Sequence, residues 1–579
     1  IYLWDKKGLL LKDDIDAIIE ATSLIKQGYI LAVKGIGGFH LIVDATNDEA
    51  VSNLRSRKKR SQKPFAMMYT SLEHVKQDCL VSPAEARLLI SCESPIVFLQ
   101  KRPHLQTPIS QYVVENNNPY FGIMLPYSPL HHILLNYLQT PIVATSGNLS
   151  DEPICYDEID ALKRLNNIAD YFLVHNRKIV NPSDDSIIRI IKDREFMIRR
   201  ARGYAPLPIP YNNSFKKYFA LGSHQKNTIA FTIDNNLFIG QHNGDLDSQD
   251  AIKQYENNIQ FFLNTYKINN AQFICDLHPD YTSTRFADKL STSPIYIQHH
   301  IAHVYSCMLE NELSNDILGV SFDGTGYGLD LTIWGGEFFI VTKHNPIRFA
   351  TFKPFPLVGS ASAIKVPKKC ALGLCFEIFN HRFEQLKNIF VPKIFNLDEF
   401  NTLYQALKAN INAPLTSSVG RIFDAVSSLL ELVFVNNYEA QAAMYLEFEA
   451  QKAHTNEYYK FDIIKNNNAN PLYYIDLSLT IKNLINDKNT LISNSVISKK
   501  FHNTISQIVL QIAMLSNVKE VVLTGGCFQN KYLLENTIEV LNASNFKVYW
   551  HQRIPTNDGG ISAGQIFASH LLNQDIIRK

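Results

Sequence analysis

The chain has 579 residues, 46% hydrophobic and 19% charged, a length that allows roughly three to five domain-sized units with sizeable buried cores. A formal net charge of +1 gives no whole-chain electrostatic case for nucleic acid, and no apolar run approaches the ~20 residues needed to cross a bilayer. Eight cysteines without a C-x-x-C pair argue against a zinc finger or a disulfide framework. With no secretory signal at the start, a cytoplasmic enzyme is expected, and because Ile1 rather than Met stands first, an N-terminal portion is expected to be missing.

In chain order, residues 16–25 read as a helix with Gly28 at its C-terminal cap. Residues 29–33 form an apolar strand, Lys34-Gly-Ile-Gly-Gly38 interrupts it, and residues 39–43 resume it. Asn47 can cap a following helix. Short strands are predicted at 65–69, 95–99, 122–125 and 142–144, with helical stretches between, and this alternation indicates an α/β layer structure.

Three stretches here carry chemical interest. Residues 55–63 (Arg-Ser-Arg-Lys-Lys-Arg-Ser-Gln-Lys) place six cations in nine residues, a pattern that serves either a solvated helix end or a phosphate site. Thr145-Ser-Gly-Asn-Leu-Ser150 offers hydroxyls, an amide and backbone N–H groups to a phosphate or a carbonyl oxygen. Asn181-Pro-Ser-Asp-Asp-Ser-Ile-Ile-Arg189 and Met197-Ile-Arg-Arg-Ala-Arg-Gly-Tyr204 add guanidinium groups suited to bidentate phosphate contacts.

Together with Lys34-Gly-Ile-Gly-Gly-Phe-His-Leu41 and Lys63-Pro-Phe-Ala-Met-Met68, these segments resemble the YrdC-like domain of the HypF carbamoyltransferases of nickel–iron hydrogenase maturation. The resemblance implies a twisted α/β sheet around a basic pocket where ATP, with Mg2+, and a carbamoyl-type acid condense to an acyl-adenylate. It implies that Lys58, Arg60 and Lys63 face the phosphates, Lys58 and Arg60 in a catalytic role. Ser146 and Asn148 would hold the nucleotide or carbamate, and Arg199 would close the pocket.

Ala205-Pro-Leu-Pro-Ile-Pro-Tyr-Asn-Asn213 reads as a semi-rigid linker and sets a boundary between domains at 1–208 and 209–579. Residues 219–231 follow as strand, polar turn and strand, with Lys226 placed where a phosphate could sit. Ser248 caps a helix carrying Tyr255, Ile259 and Phe262 at helical spacing. In Gln298-His-His-Ile-Ala-His303 the imidazoles of His299 and His303 are four residues apart and leave one face of a helix. Two such imidazoles chelate a borderline cation if an oxygen joins them, and Asp323 can supply one where an apolar run opens into a glycine-rich turn. The same spacing equally fits an ordinary histidine-rich helix start. Residues 420–425 precede an apolar helix, Glu439 lies some turns later, and two such carboxylates can accept both ribose hydroxyls. Val521-Val-Leu-Thr-Gly-Gly-Cys-Phe-Gln-Asn-Lys531 reads as strand, glycine turn and helix, aiming backbone amides at an anion or base. Asp558, in a turn ahead of a small-residue helix, is the candidate fourth ligand.

In this order the motifs resemble the C-terminal domain of the same family, so the expected fold class is α/β, a YrdC-like domain followed by a two-lobed actin/sugar-kinase-like domain. The resemblance implies one divalent metal, iron or zinc, on His299, His303, Asp323 and Asp558, with Asp323 also catalytic. Asp424, Glu439, the Gly525-Gly526 turn and Asn530 would hold a nucleoside. The implied reaction forms carbamoyl-AMP and passes the carbamoyl group to the C-terminal cysteine of the partner HypE, with no nucleic acid or membrane partner. An O-carbamoyltransferase acting on a small hydroxylated metabolite is the alternative enzyme. A nucleotide-gated binding module of the actin type would leave the imidazole pair and the first domain unused. The family's acylphosphatase-like and cysteine-rich modules find no counterpart in these residues, so carbamate or carbamoyl phosphate is expected to be processed separately. Residues 359–368 match the family loosely, and the Lys/Asn-rich stretches 380–412 and 467–494 are expected to be helices and loops without chemistry.

Overall fold

The computed structural model describes residues 1–115, 117–149, 152–211, 215–314, 316–342, 345–467 and 470–572. Ser150 of the polar loop, Asn212 and Asn213 of the linker, and Asn468 with Ala469 lie outside them. The chain divides into two compact units: Ile1–Phe219 with His224–Ala271, and Ala220–Ser223 with Gln272–Lys579. Residues 224–271 pack with residues 1–219 in the first unit. His242 explains why: its backbone N–H donates to the Arg200 carbonyl and its ring lies 3.4 Å from the Asp184 carboxylate. Gln241 donates beside it to the Asn181 side chain at 2.8 Å.

The first unit is built on a mixed sheet. Its central strands run in the spatial order Tyr120–Met124, Ala66–Met68, Ile142–Ser146, Phe39–Asp44, Leu31–Lys34 and Tyr171–Val174. Both faces are buried, which is why these strands read as near-continuous apolar runs. Phe39, Leu41, Val43 and Val143 face one core, and Leu31, Val33, Ile42 and Ala144 face the other, beneath the helices Asp14–Lys26 and Pro129–Leu138. Asn47 caps Asp48–Arg57 through Ala50 N–H at 3.0 Å, and Lys58 follows as that helix's C-terminal cap. The proline-rich segment is not a free spacer. Pro208–Pro210 pairs as an edge strand with Asn236–Ile239, a place where a proline's missing N–H need not break a ladder.

The second unit centres on the strand Ile317–Tyr327, antiparallel to Ile333–Thr342 and parallel to Glu520–Thr524. The predicted turn at Asp323 is instead a continuation of this strand. Pairing shifts register between Phe322 and Gly326, and the glycines serve close approach rather than reversal. A Cβ on Gly326 would lie 2.3 Å from the His300 ring. Likewise, residues 420–425 lie inside the helix Val419–Leu429 rather than before it. The helices Phe383–Phe390, Leu397–Lys408 and Ser478–Asn489 occupy the Lys/Asn-rich stretches. Among the described residues no helix is long and apolar enough to cross a membrane.

The helix His299–Glu310 is packed against Ile561–Leu571 at a glycine contact, where a Cβ on Gly564 would stand 1.8 Å from the Ala302 carbonyl oxygen. Gly564→Ala therefore has to separate the two helices. The expected cost is about 1–3 kcal/mol, as for overpacking of a tight core, and a lowered thermal unfolding transition measures it. An unchanged transition would mean the helices yield freely there.

Candidate functional site

The helix start at Gln298, whose side chain accepts from Ile301 N–H at 3.0 Å, places His299 and His303 one turn apart on a buried face. Asp323 reaches them from the central strand and Asp558 from the turn before Ile561–Leu571. One ligand atom from each of the four residues lies within 4.8 Å of all the others. His299 Nε2 is 3.3 Å from Asp323 Oδ2 and 3.7 Å from Asp558 Oδ1, and His303 Nε2 is 3.5 and 3.8 Å from the same two oxygens.

Three of the four groups also bond the protein through their other polar atom. Gly526 N–H donates to Asp323 Oδ1 at 3.2 Å, leaving Oδ2 directed at the imidazoles. Ser223 Oγ–H donates to Asp558 Oδ2 at 2.9 Å, and Oδ1 is the oxygen nearer the imidazoles. His299 Nδ1 bonds the buried Asp276 carboxylate at 2.8 Å, which leaves Nε2. His303 Nε2 is buried without a hydrogen bond in the protein. Burial opposes charge on His299, yet Asp558 and Asp276 hold its pKa well above the ordinary value. Asp323 is held well below the carboxylate range: its burial works against that, and the hydrogen bonds and charge of the two histidines outweigh it. The donor set of two imidazoles and two carboxylates fits a divalent ion such as iron or zinc, and Asp276 has the place of the carboxylate that orients a ligating histidine. Asp276 and Ser223 escape a motif search. Asp276 nevertheless follows Phe-Ile-Cys at a strand end, the position Asp323 takes after its own apolar run.

The proposed nucleoside residues are placed unequally. Gly525, with φ of +98°, and Gly526 open a short 3-10 turn directly after Glu520–Thr524. Asn530 caps the helix Lys531–Ala543 through Leu533 N–H and lies 2.9 Å from His502 Nε2. Asp424 is buried 2.9 Å from Arg421, and burial, only partly offset by that guanidinium, pushes its pKa up to about 6. Glu439 is exposed between the helices Val419–Leu429 and Gln441–Gln451. Burial and the neighbouring Asp323 carboxylate push the Cys527 thiol well above its usual range, so it stays protonated.

In the first unit, Lys58 Nζ donates at 2.7 Å to the Ser146 carbonyl, the Asn148 carbonyl and Asn148 Oδ1. Burial and the Arg60 charge lower its pKa to about 7, and below that pH the ammonium has the three N–H bonds that these acceptors match. Ser146 Oγ–H also donates to Asn148 Oδ1 at 2.8 Å. Lys58 therefore ties down the polar loop. Arg60 donates to Thr145 Oγ1 at 2.9 Å and to the carbonyls of Lys63 and Pro64. Burial and the charges of Arg55 and Arg199 lower its pKa to about 9. Lys63 is exposed and Arg199 half-buried.

Three sequence families match: one described as telomere recombination, of YrdC type, over 23–201, the HypF Kae1-like domain over 213–310, and the carbamoyltransferase Kae1-like domain, second subdomain, over 319–565. The carbamoyltransferase HypF of Synechocystis sp. is 40% identical over 98% of this chain and 74% of its own length. The chain belongs to the HypF carbamoyltransferase family. The probable HypF of Methanocaldococcus jannaschii is 34% identical over 99% of this chain and 74% of its own. Full-length HypF solved in a phosphate- and nucleotide-bound form superposes with a TM-score of 0.92 at 38% identity, over all of this chain and 74% of that one. HypF from T. kodakarensis superposes at 0.91 with 30% identity, over 98% and 75%. The enzyme is a carbamoyltransferase of mixed α/β fold, a YrdC-type domain followed by the Kae1-like domain of HypF.

If the four residues hold one divalent ion, Asp276→Asn weakens it by about 10–100-fold, the range for a lost orienting partner, and His303→Ala abolishes it. Elemental analysis after dialysis against a graded chelator reads both. Wild-type retention by His303→Ala would refute the ligand set.

Proposed function

We propose that this HypF-family enzyme makes carbamoyl-AMP from ATP and carbamate in its first unit and carbamoylates the C-terminal cysteine of HypE in its second. The observation that carries the reading is the meeting of two imidazoles and two carboxylates on one buried point, in a chain 40% identical to a carbamoyltransferase. Eight cysteines, all unpaired, suit a reducing compartment, and we place the reaction in the cytoplasm.

In the first step a carbamate oxygen attacks the α-phosphorus of ATP, brought as its Mg2+ complex, and the bond to pyrophosphate breaks. Lys58 holds the loop carrying Ser146 and Asn148, so their polar groups meet the substrate in one preset arrangement. Arg60, Lys63 and Arg199 place positive charge against the phosphates. In the second step the HypE thiolate attacks the carbamoyl carbon, the bond from that carbon to the phosphate oxygen breaks, and AMP leaves. A divalent ion held by His299, His303, Asp323 and Asp558 supplies Lewis acidity toward a phosphate or carbonyl oxygen. Gly525, Gly526, Asn530 and Glu439 surround the adenosine, with Asp424 paired to Arg421. The protonated Cys527 is no competing nucleophile.

The test is carbamate-dependent exchange between ATP and pyrophosphate, followed by mass analysis of HypE for the added carbamoyl group. Lys58→Met is expected to lose the exchange, and His303→Ala to keep it while losing transfer to HypE. Exchange absent in the wild type, with ATP still bound, would defeat adenylation.

A pH signature follows from Lys58. Its pKa near 7 lies below that of an ordinary lysine, so the free protein at pH 8 carries mostly the amine, and bound phosphates favour the ammonium. ATP binding at pH 8 should then take up close to one proton by linkage, shrinking as pH falls through 7. Calorimetry in buffers of different ionisation enthalpy reads it, and uptake that persists in Lys58→Met would assign it elsewhere.

A further inference from the structure

Arg421 is 8% exposed, and its Nε and Nη1 are buried with no hydrogen-bond partner. Only Nη2 is engaged, 2.9 Å from Asp424 Oδ2, an ion pair off the angle of a good hydrogen bond. Stranding two guanidinium donors in the interior is costly, and buried polar groups of folded proteins are almost always satisfied. The position is fixed rather than accidental. Ser418 caps the helix Val419–Leu429 by accepting from Arg421 N–H at 3.2 Å, and its hydroxyl lies 2.8 and 2.7 Å from the carbonyls of Asp323 and Gly324. That first turn is therefore welded to the strand segment bearing a candidate metal ligand. A Cβ on Gly420 would lie 2.9 Å from the Gly324 Cα, so that glycine keeps the approach open. Asp323 links this helix start to the Gly525-Gly526 turn: its carbonyl accepts from the Ser418 hydroxyl at 2.8 Å and its Oδ1 from Gly526 N–H at 3.2 Å.

We infer that Arg421 binds a phosphate oxygen of the nucleotide in the second unit, and that Asp424 is its counter-ion and positioning residue rather than a ribose acceptor. The inference rests on the proposed second nucleotide site and names the group that recognises its anion. A guanidinium suits this task because it is always charged and offers several N–H bonds in a fixed plane. Its two open donors can engage oxygen while Nη2 stays on Asp424.

The test counts nucleotides on the whole, metal-loaded enzyme by equilibrium dialysis with labelled ATP. The wild type is expected to show two binding classes. Arg421→Met should weaken one by at least about tenfold, as loss of a charge-assisted contact does, with metal content and pyrophosphate exchange unchanged. Arg421→Lys keeps the charge without the planar donors and should fall between. If Arg421→Met loses its metal, Arg421→Lys decides, and wild-type affinity in that variant overturns the inference. Two classes in the wild type, both unaltered in Arg421→Met, overturn it alone. A single class in the wild type overturns the two-site reading and the inference with it. A parallel titration with inorganic phosphate separates the sources: weakening confined to free phosphate, with ATP unaffected, overturns the assignment to nucleotide.

Discussion

The second unit depends on one constraint: four side chains turn a polar atom to a shared point, and three of them are held by the protein through another. Asp323 is held by Gly526, Asp558 by Ser223 and His299 by Asp276, while His303 keeps Nε2 free. These partners come from stretches far apart in sequence, so the arrangement exists only when the whole unit is folded. The close contacts serve the same end. Gly564 lets one helix touch the backbone of the histidine helix, and Gly326 leaves room for the His300 ring beside it. A side chain at either place would move an imidazole, and ligand geometry tolerates little movement.

The first unit solves a different electrostatic problem. Its cations are crowded together, and Lys58 and Arg60 both titrate lower than free side chains because burial and like charge disfavour them. The protein tolerates this by surrounding each with oxygen: carbonyls and an amide for Lys58, a hydroxyl and carbonyls for Arg60. Beside them Asp185 is held well below the carboxylate range. Its burial opposes this, and the charges of His40 and Arg202, at 3.0 and 2.9 Å, prevail. Cations held this way are already ordered, so the proposed phosphate binding would need little further ordering of them.

Much of this was legible in the sequence, for physical reasons. The i, i+4 imidazole pair, the Asn47 cap and the strand leading into the polar loop depend on local periodicity, and local periodicity survives translation into structure. What failed to show depends on long-range contact. The glycines after Asp323 look like a turn in one dimension, whereas in the fold they continue a strand and make space. The alternate prolines at 206–210 look like a spacer until Asn236–Ile239 pairs with them. Asp276 and Ser223 carry no motif because their role is defined by what they touch.

The same distinction separates the two acidic residues assigned to a nucleoside. Family resemblance places Asp424 and Glu439 together by order in the chain, but burial sets them apart. Glu439 is exposed, while Asp424 lies in the interior with its charge answered by Arg421 and its pKa raised to about 6. A carboxylate so placed is poorly suited to wait unpartnered for ribose hydroxyls, since a buried charge without compensation is the costliest state available to it. It is well suited to hold a guanidinium, and a guanidinium with unmet donors is in turn completed by an anion. Charge balance thus orders this corner of the fold: the aspartate fixes the arginine, and the arginine keeps open donors for the proposed phosphate.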